Sequence, residues 1–281
     1  MLTIMNIKIT KASGIIEDIK PAKLRASLIR SGADDLQADE IIDRVLHEIE
    51  PYTSTRKIYR LAQKYLKKIN HPSGLRYSLK RALFRLGPSG YPFEKYYGAL
   101  LNNFGYETET GRFVEGKCVK HEIDVFALSD NEISLVECKY HNSQGIAVDV
   151  KVAMYVHSRF HDLAPEMAKL YPDKIFSGWL VTNTRFTTEA IKFAECYGLK
   201  LKSWRYPNSD SLEHMIEDRR LYPVTIISGI SAGLVKKLIH ENIILLKDLV
   251  EMSPAEISKL LSLTDKKAHA LKKQAEELCL C

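Results

Sequence analysis

Three ionisable residues interrupt two short apolar segments of the sequence, EIDVFALS and EISLVECKY. They are Asp124, Glu137 and Lys139. Glu137 and Lys139 are two positions apart on a predicted strand, so they project from the same face. A Ser-Asp-Asn turn joins the two segments, and a hairpin through that turn would place Asp124 beside Glu137. The spacing therefore predicts two carboxylates and an ammonium group in one pocket.

This combination of groups is suited to phosphodiester hydrolysis. Two carboxylates at close range repel each other unless a cation lies between them, and oxygen-only ligand sets suit Mg2+ or Mn2+. An adjacent lysine can position a water and offset the charge that develops on a phosphate. The alternative for an isolated Glu-x-Lys is a surface salt bridge worth under ~1 kcal/mol. The upstream Asp, the apolar strands and a preceding helix that carries Glu94 favour the pocket.

The segments around this pocket alternate between helix and strand. FEKYYGALLNNFGYE has the apolar spacing of a half-buried helix, and AVDVKVAMYVHSRF and TTEAIKFAECYG also predict helices. KIFSGWLVTN predicts a buried strand and LKLKSW a final strand. This order predicts an α/β (α+β) fold with a mixed sheet covered by helices.

The order of these motifs resembles the PD-(D/E)XK nuclease core, specifically the Mrr-type restriction endonuclease domain. The resemblance rests on the helix with Glu94, then GYE, HEIDVFA and SLVECKY, and it continues through VTNTRFTTEAIKFAECYGLKLKSW to about residue 206. It implies that Asp124 and Glu137 ligate the metal, that Lys139 serves the nucleophilic water, and that Glu94 is an outer or additional ligand.

Two positions depart from that family's pattern. HEID stands where many Mrr-type domains have a glycine before the Asp. Glu122 lies on the same face of the strand as Asp124, so it could join the site or point outward, and we favour the outward direction. The family's Gln-x-x-x-Tyr pattern is missing, although Lys151 and Tyr155 stand at that spacing. Tyr155 is the better match, and both residues could equally be ordinary helix positions.

The N-terminal third is basic and predicts a hairpin, NIKITKASGIIEDI, followed by helices over residues 21–31, 34–49 and 54–69. Residues 1–90 hold 17 Lys and Arg against 9 Asp and Glu, which favours a polyanionic partner or a solvated basic surface. Lys11 on the hairpin and Lys23 on the first helix could converge on a triphosphate.

These N-terminal segments, with TSTRKIYRLAQKYL and LRYSLKRALFRLG, resemble an ATP-cone, a nucleotide-sensing module. The resemblance implies that Glu17 and Thr55 also contact the nucleotide, ATP or dATP. Ala12 stands where such modules usually have an arginine. A P-loop is absent from the sequence, so we expect the nucleotide to be sensed and not hydrolysed. A small helical domain with basic faces is the alternative.

The C-terminal region contains Ile227-Ser-Gly-Ile-Ser-Ala-Gly-Leu, which looks like a helix-hairpin-helix with Gly229 and Gly233 in the turn. The resemblance implies that backbone N–H groups and the following helix N-terminus grip a DNA phosphate, with Lys236 and Lys237 one turn further on. A degenerate second copy spans residues 257–271 and carries Lys266 and Lys267. A dimerisation or partner module is the alternative, because residues 211–281 carry no net charge.

Pro- and Gly-rich segments and the overall composition indicate the domain boundaries and the cellular compartment. GPSGYP at residues 87–92 and YPNSDS at residues 206–211 predict domains at 1–88, 89–207 and 208–281. The sequence contains no signal peptide and no membrane-length apolar stretch, so we expect a cytoplasmic protein. The five cysteines form no C-x-x-C pair, which predicts reduced thiols and excludes a zinc-ribbon regulator linked to ribonucleotide reductase.

The function predicted from these features is a magnesium-dependent DNA endonuclease of the restriction or defence type, regulated by ATP or dATP and assembled as a homo-oligomer. The alternative is a nucleotide-responsive DNA-binding regulatory protein whose nuclease-like core does not cut.

Overall fold

The computed structural model of the protein describes residues 7–11 and 13–279, so Ala12 and Cys281 lie outside the described residues. Its architecture is mixed: a small three-stranded sheet, a five-stranded mixed sheet and helices that cover both. The predicted α+β fold class is therefore confirmed.

The N-terminal region combines a hairpin with three helices. β1 (Lys8–Thr10) pairs antiparallel with β2 (Ile16–Asp18) and parallel with β3 (Thr53–Ser54). The helices are α1 (Pro21–Arg30), α2 (Asp35–Glu48) and α3 (Thr55–Ile69), close to the predicted limits. The Asp34 side chain caps α2 in a capping box with Gln37, which is the reason the helix begins there.

Two short helices, α4 (His71–Arg76) and α5 (Leu79–Leu83), connect this region to the central sheet. Their apolar side chains do not join the N-terminal core. Leu75, Leu79 and Leu83 belong to the large cluster that also contains the central sheet and the C-terminal helices. α5 consequently packs against the central and C-terminal regions, and its Arg81 also lies 5.5 Å from the centre of the Tyr59 ring of α3.

The central region begins with α6 (Tyr91–Asn102) and continues with a sheet in the order β4-β5-β6-β7-β8. β4, β5 and β6 are antiparallel neighbours, and β6, β7 and β8 run parallel. The strand bounds are β4 (Glu107–Glu115), β5 (Lys120–Leu128), β6 (Glu132–Lys139), β7 (Ile175–Thr182) and β8 (Lys200–Lys202). α7 (Val150–Leu170) and α8 (Thr188–Tyr197) provide the crossover connections.

Each face of this sheet supports a different core. Val125, Val136 and Val181 face a cluster with α6 and the C-terminal helices. Leu135 and Leu180 face a second cluster with α7 and α8. Because side chains alternate along a strand, these apolar runs bury both faces of the central strands. A third cluster holds the N-terminal helices together.

The C-terminal region is helical. α9 (Leu212–Asp218) is followed by a short 3-10 helix (Val224–Ile226), and the remaining helices are α10 (Ala232–His240), α11 (Leu246–Glu251), α12 (Pro254–Leu261) and α13 (Asp265–Cys279). Within the described part of the chain, none of the helices has the length and apolar character needed to cross a membrane.

Candidate active site

The register of the central sheet brings the two predicted acids together. β5 and β6 pair antiparallel with Val125 opposite Val136. The next positions in this register are Asp124 and Glu137, and residues opposite each other on antiparallel strands share a face. Asp124 Oδ2 also accepts a hydrogen bond of 2.7 Å from the backbone N–H of Cys138, the neighbour of Glu137. The acids therefore lie side by side where the strand pairing ends.

Both acids are partly withdrawn from water, and this changes their proton affinity. Burial and the negative charge of Asp124 raise the pKa of Glu137 to about 7. Burial also raises the pKa of Asp124, although the hydrogen bond from Cys138 and the positive charge of Arg159 oppose the rise. Two neighbouring carboxylates with raised pKa values have a high affinity for a positive charge, either a proton or a cation.

Glu94 extends this acidic group from the neighbouring helix. It lies in the first turn of α6, and it is half-buried. Burial, followed by the charges of Asp124 and Glu137, raises the pKa of Glu94 to about 7. Glu122 is exposed, in agreement with the expected outward direction, but its charge also raises the pKa of Glu94.

Arg159 is the residue of this site that the sequence did not reveal. Its Nη1 forms an ion pair of 2.5 Å with Glu137, and its Nη2 donates to the backbone carbonyl of Glu122. Its Nε is buried and has no hydrogen-bond partner among the described residues. The guanidinium carbon lies 5.6 Å from the centre of the Tyr155 ring. Tyr155, which was predicted from the resemblance, therefore contacts the site through Arg159, one helical turn away.

Lys139 ends β6 and remains accessible. It is exposed, and within residues 7–11 and 13–279 it forms no ion pair. Its positive charge lowers the pKa of Glu137, so its ammonium group is near the acids. The chain just beyond it is fixed, because the Asn183 side chain accepts from the N–H of His141 and donates to its carbonyl. The lysine is thus an available cation beside the acidic pair.

The donor chemistry fits a divalent cation, although the side chains are not assembled around one point. Carboxylate oxygens from Asp124, Glu137 and Glu94 are hard ligands of the kind that Mg2+ and Mn2+ prefer. In the described part of the chain, no group of three or more His, Cys, Asp or Glu side chains forms a ready metal cluster. One of the two carboxylate oxygens of Glu137, Oε2, is bonded to Arg159.

The residues predicted to contact a nucleotide lie on the hairpin and the first and third helices of the N-terminal region. Lys11 Nζ forms an ion pair of 2.7 Å with Glu17. The hydrogen bond from Lys11, and the charges of Lys11 and Lys23, lower the pKa of Glu17. Thr55 begins α3 directly after β3, which pairs with β1. Lys11 and Glu17 thus form an ion pair, Lys23 contributes only its charge, and Thr55 lines a neighbouring cavity.

Comparison with known proteins identifies relatives of this chain. Residues 222–279 match the family model described as AF1548-like, C-terminal. An uncharacterized protein of Archaeoglobus fulgidus is 34% identical over 179 residues, which cover 64% of this chain and 97% of the relative. The chain belongs to the AF1548-like family. The crystal structure of AF1548, a protein of unknown function, superposes with a TM-score of 0.57 at 33% identity and covers 68% of this chain and 98% of that one.

The matched C-terminal region of this AF1548-like protein contains the predicted glycine turn. Gly229 has a φ of +79°, a left-handed conformation that favours glycine. Ser231 caps α10, and Gly233 lies inside the first turn of that helix, not in the preceding turn as predicted. Lys236 and Lys237 are exposed on α10. The turn at Gly229 precedes the helix that carries the two lysines, as predicted, whereas Gly233 belongs to the helix.

A second turn of the same form precedes α13 in the AF1548-like C-terminal region. Ser262 ends α12 with a φ of +55°, and α13 begins after the same spacing that separates Gly229 from α10. Lys237 Nζ lies 3.4 Å from the Ser262 hydroxyl, so the first helix contacts the second turn. Lys266 and Lys267 are exposed at the start of α13.

Proposed function

We propose that this protein is a Mg2+- or Mn2+-dependent endonuclease that hydrolyses phosphodiester bonds in DNA, of the restriction or defence type. The observation that carries the proposal is that Asp124 and Glu137 stand opposite each other, one position beyond the paired Val125 and Val136, with Lys139 at the same strand end. Few structural roles require two half-buried carboxylates and an exposed lysine at one point of a sheet.

The chain's own residues can divide the work of hydrolysis. Asp124 and Glu137 would hold the cation, with Glu94 as an additional or outer ligand. A bound divalent cation supplies Lewis-acid stabilisation of the charge on the phosphate. Lys139 positions the attacking water by hydrogen bonding and places a positive charge near the reacting phosphate. Water attacks phosphorus in line with the leaving oxygen, so no covalent enzyme intermediate forms.

The flanking regions support the same proposal. The backbone at Gly229 and Gly233, with Lys236 and Lys237, would hold a DNA phosphate without reading sequence. Lys11, Glu17, Lys23 and Thr55 would contact ATP or dATP as a regulatory ligand. A regulatory ligand acts through different affinities for two arrangements, and a homo-oligomer in the cytoplasm is the form in which we expect it to act.

Cleavage of supercoiled plasmid tests the proposal. We expect the protein to nick or linearise plasmid with Mg2+ and to be inactive with EDTA. Glu137→Gln should lose cleavage by more than about 100-fold, because the ligand charge is removed, and should keep its DNA affinity in a gel-shift assay. Glu115→Gln, the same chemical change at an exposed position of β4, is the matched control and should cut normally.

A second function is favoured by the ion pair between Arg159 and Glu137. An arginine that neutralises a catalytic carboxylate is compatible with a DNA-binding regulatory protein whose nuclease-like core does not cut. A wild-type protein that binds DNA but leaves plasmid intact with Mg2+ and with Mn2+, in the presence or absence of ATP or dATP, would support that function and reject the nuclease.

A further inference from the structure

The central sheet opens between β5 and β6 at the acidic pair. The last position at which these two strands pair with each other is Val125 opposite Val136. Beyond it, β5 remains paired with β4 to its first residue, and β6 remains paired with β7 to its last. We call this opening the fork. Asp124 and Glu137 are the first residues inside it, so the ladder between β5 and β6 does not fix their separation.

Two side chains span the fork. Asp124 Oδ2 accepts a hydrogen bond of 2.7 Å from the backbone N–H of Cys138 on β6. Arg159 enters from α7, where its Nη1 bonds to Oε2 of Glu137 on β6 at 2.5 Å. Its Nη2 donates to the backbone carbonyl of Glu122 on β5. One guanidinium group therefore connects the two strands beyond the point where they pair.

The planar shape of the guanidinium group makes this connection directional. Its donors leave one rigid plane at fixed angles, so two bonds to two strands determine both the distance and the direction of the contact. The Tyr155 ring, one turn earlier on α7, lies 5.6 Å from the guanidinium carbon. A lysine ammonium could replace the charge of Arg159 but not this two-sided contact.

Stability does not explain this arrangement. Arg159 Nε is buried, and it has no hydrogen-bond partner among residues 7–11 and 13–279. A buried guanidinium with an unpaired donor keeps much of its desolvation cost, so apolar residues in place of the pair would be at least as stable. A geometric role in the site accounts for it better. The contact holds Oε2 of Glu137 and leaves Oε1 available to a ligand.

We propose that Arg159 is a positioning residue of the acidic site. By tying Glu137 to the carbonyl of Glu122 across the fork, it fixes the Glu137 carboxylate beside Asp124, so that both acids can share one divalent cation. The inference rests on the proposed nuclease function, because it concerns the cation of that site. Hydrogen bonds that orient metal ligands from outside typically change metal affinity by about 10- to 100-fold.

Binding of Mn2+ to the full chain, measured from the electron paramagnetic resonance signal of the free ion, tests this role without DNA. The wild type should bind Mn2+, and Glu137→Gln should lose that binding. Arg159→Lys keeps the charge and loses the bridge, and we expect its Mn2+ affinity to fall at least about tenfold. Arg159→Gln should fall at least as far, although the loss of a positive charge alone would tighten cation binding.

Arg60→Lys is the matched control, because it makes the same change at an exposed position of α3. It should bind Mn2+ as tightly as the wild type does. Unchanged Mn2+ affinity in Arg159→Lys, or unchanged or tighter binding by Arg159→Gln, would overturn the positioning role and leave Arg159 as a countercharge only. Neither result would reject the nuclease.

Competition of Mg2+ and Ca2+ against Mn2+ separates positioning from a general loss of structure. Mg2+ requires nearly octahedral ligand geometry, whereas Ca2+ accepts flexible coordination, so Arg159→Lys should lose at least about fivefold more affinity for Mg2+ than for Ca2+. Equal losses for the two cations would overturn the positioning role. Mn2+ binding by the wild type that does not depend on Glu137 would instead reject the proposed nuclease function, and this inference with it.

Discussion

The positive charge of Arg159 partly offsets the negative charge of Asp124 and Glu137, and it lowers the pKa of both acids. Its ion pair with Glu137 is largely buried, with side-chain exposures of 13% and 17%. A buried pair of this kind loses much of its attraction to the cost of desolvation, so it is a poor source of stability. The carboxylates consequently destabilise the fold at the pH at which they are ionised, which is typical of residues placed for chemistry and not for folding.

We predict that this cost depends on pH. The pKa of Glu137 is about 7 in the folded protein and near 4.5 in an unfolded chain. The folded state therefore holds the proton more tightly, and stability falls as pH rises from about 4.5 to 7, by up to ~3 kcal/mol from this group. In EDTA, Glu137→Gln should be more stable than wild type at pH 8 and nearly equal to it at pH 4.5, as measured by urea unfolding.

Glu115→Gln on β4 is the matched control, because Glu115 is exposed. Its unfolding free energy should follow that of the wild type at both pH values. A constant difference between Glu137→Gln and wild type across this range would show that the carboxyl is not held in the environment described above.

The sequence was informative about side chains whose neighbours follow from strand periodicity. Glu137 and Lys139 are two apart on one strand, and the Ser-Asp-Asn turn fixes the partner of Glu137 as Asp124. Arg159 could not be found in this way, because its contact with Glu137 depends on how α7 crosses the sheet. An arginine one turn after Tyr155 on a half-buried helix was the only available signal.

Among the elements, the helices and buried strands lie where they were predicted, although α7 continues to Leu170, beyond the predicted end at Phe160, and the edge strand β4 was missed. Its sequence, ETETGRFVE, is mostly polar, since β4 has a neighbour on only one side of the sheet. An edge strand with little apolar alternation has no distinct pattern. The apolar runs of β5, β6 and β7 are unambiguous because both of their faces are buried.

The turn before α10 gives a prediction for paired glycines. Space is available for a Cβ at both positions, with nothing within 4 Å at Gly229 and a nearest atom at 4.0 Å at Gly233. They differ in backbone conformation, since Gly229 has a φ of +79° and Gly233 is helical. Gly229→Ala should cost about 1 kcal/mol of unfolding free energy, and Gly233→Ala should gain about 0.5–1 kcal/mol.

Gel-shift assays on the same two variants compare their DNA affinity with their stability. If the backbone at this turn holds a phosphate, Gly233→Ala should weaken DNA binding even though the fold is more stable. Tighter or unchanged DNA binding by Gly233→Ala would exclude a close approach of phosphate at this helix end.

In the whole molecule, the C-terminal helices complete the core of the central region. Leu238, Leu246 and Leu278 are buried in the same cluster as Val125 and Val136 of the sheet. The N-terminal helices have a cluster of their own. The domain limits predicted from Pro- and Gly-rich segments do not show that the central and C-terminal regions share a core while the N-terminal region has its own. Such segments indicate turns, and they carry no information about which regions pack together.

Two truncations test that dependence. Removal of residues 222–281 should expose the central cluster, and we expect an aggregated chain or one without a cooperative thermal transition. Removal of residues 1–70 should leave a soluble chain with one cooperative transition, because only the separate N-terminal core is lost. A soluble, cooperatively folding 1–221 fragment would show that the C-terminal helices are an independent module.

Two of the left-handed residues of the C-terminal region, Gly229 and Ser262, each stand three positions before the first residue of a helix. Ser262 places a side chain, and the tip of Lys237, over its own bend, whereas Gly229 leaves its backbone bare. The two turns therefore offer different surfaces to a partner. The turn at Gly229 can contact a partner through main-chain atoms, and the turn at Ser262 through side chains.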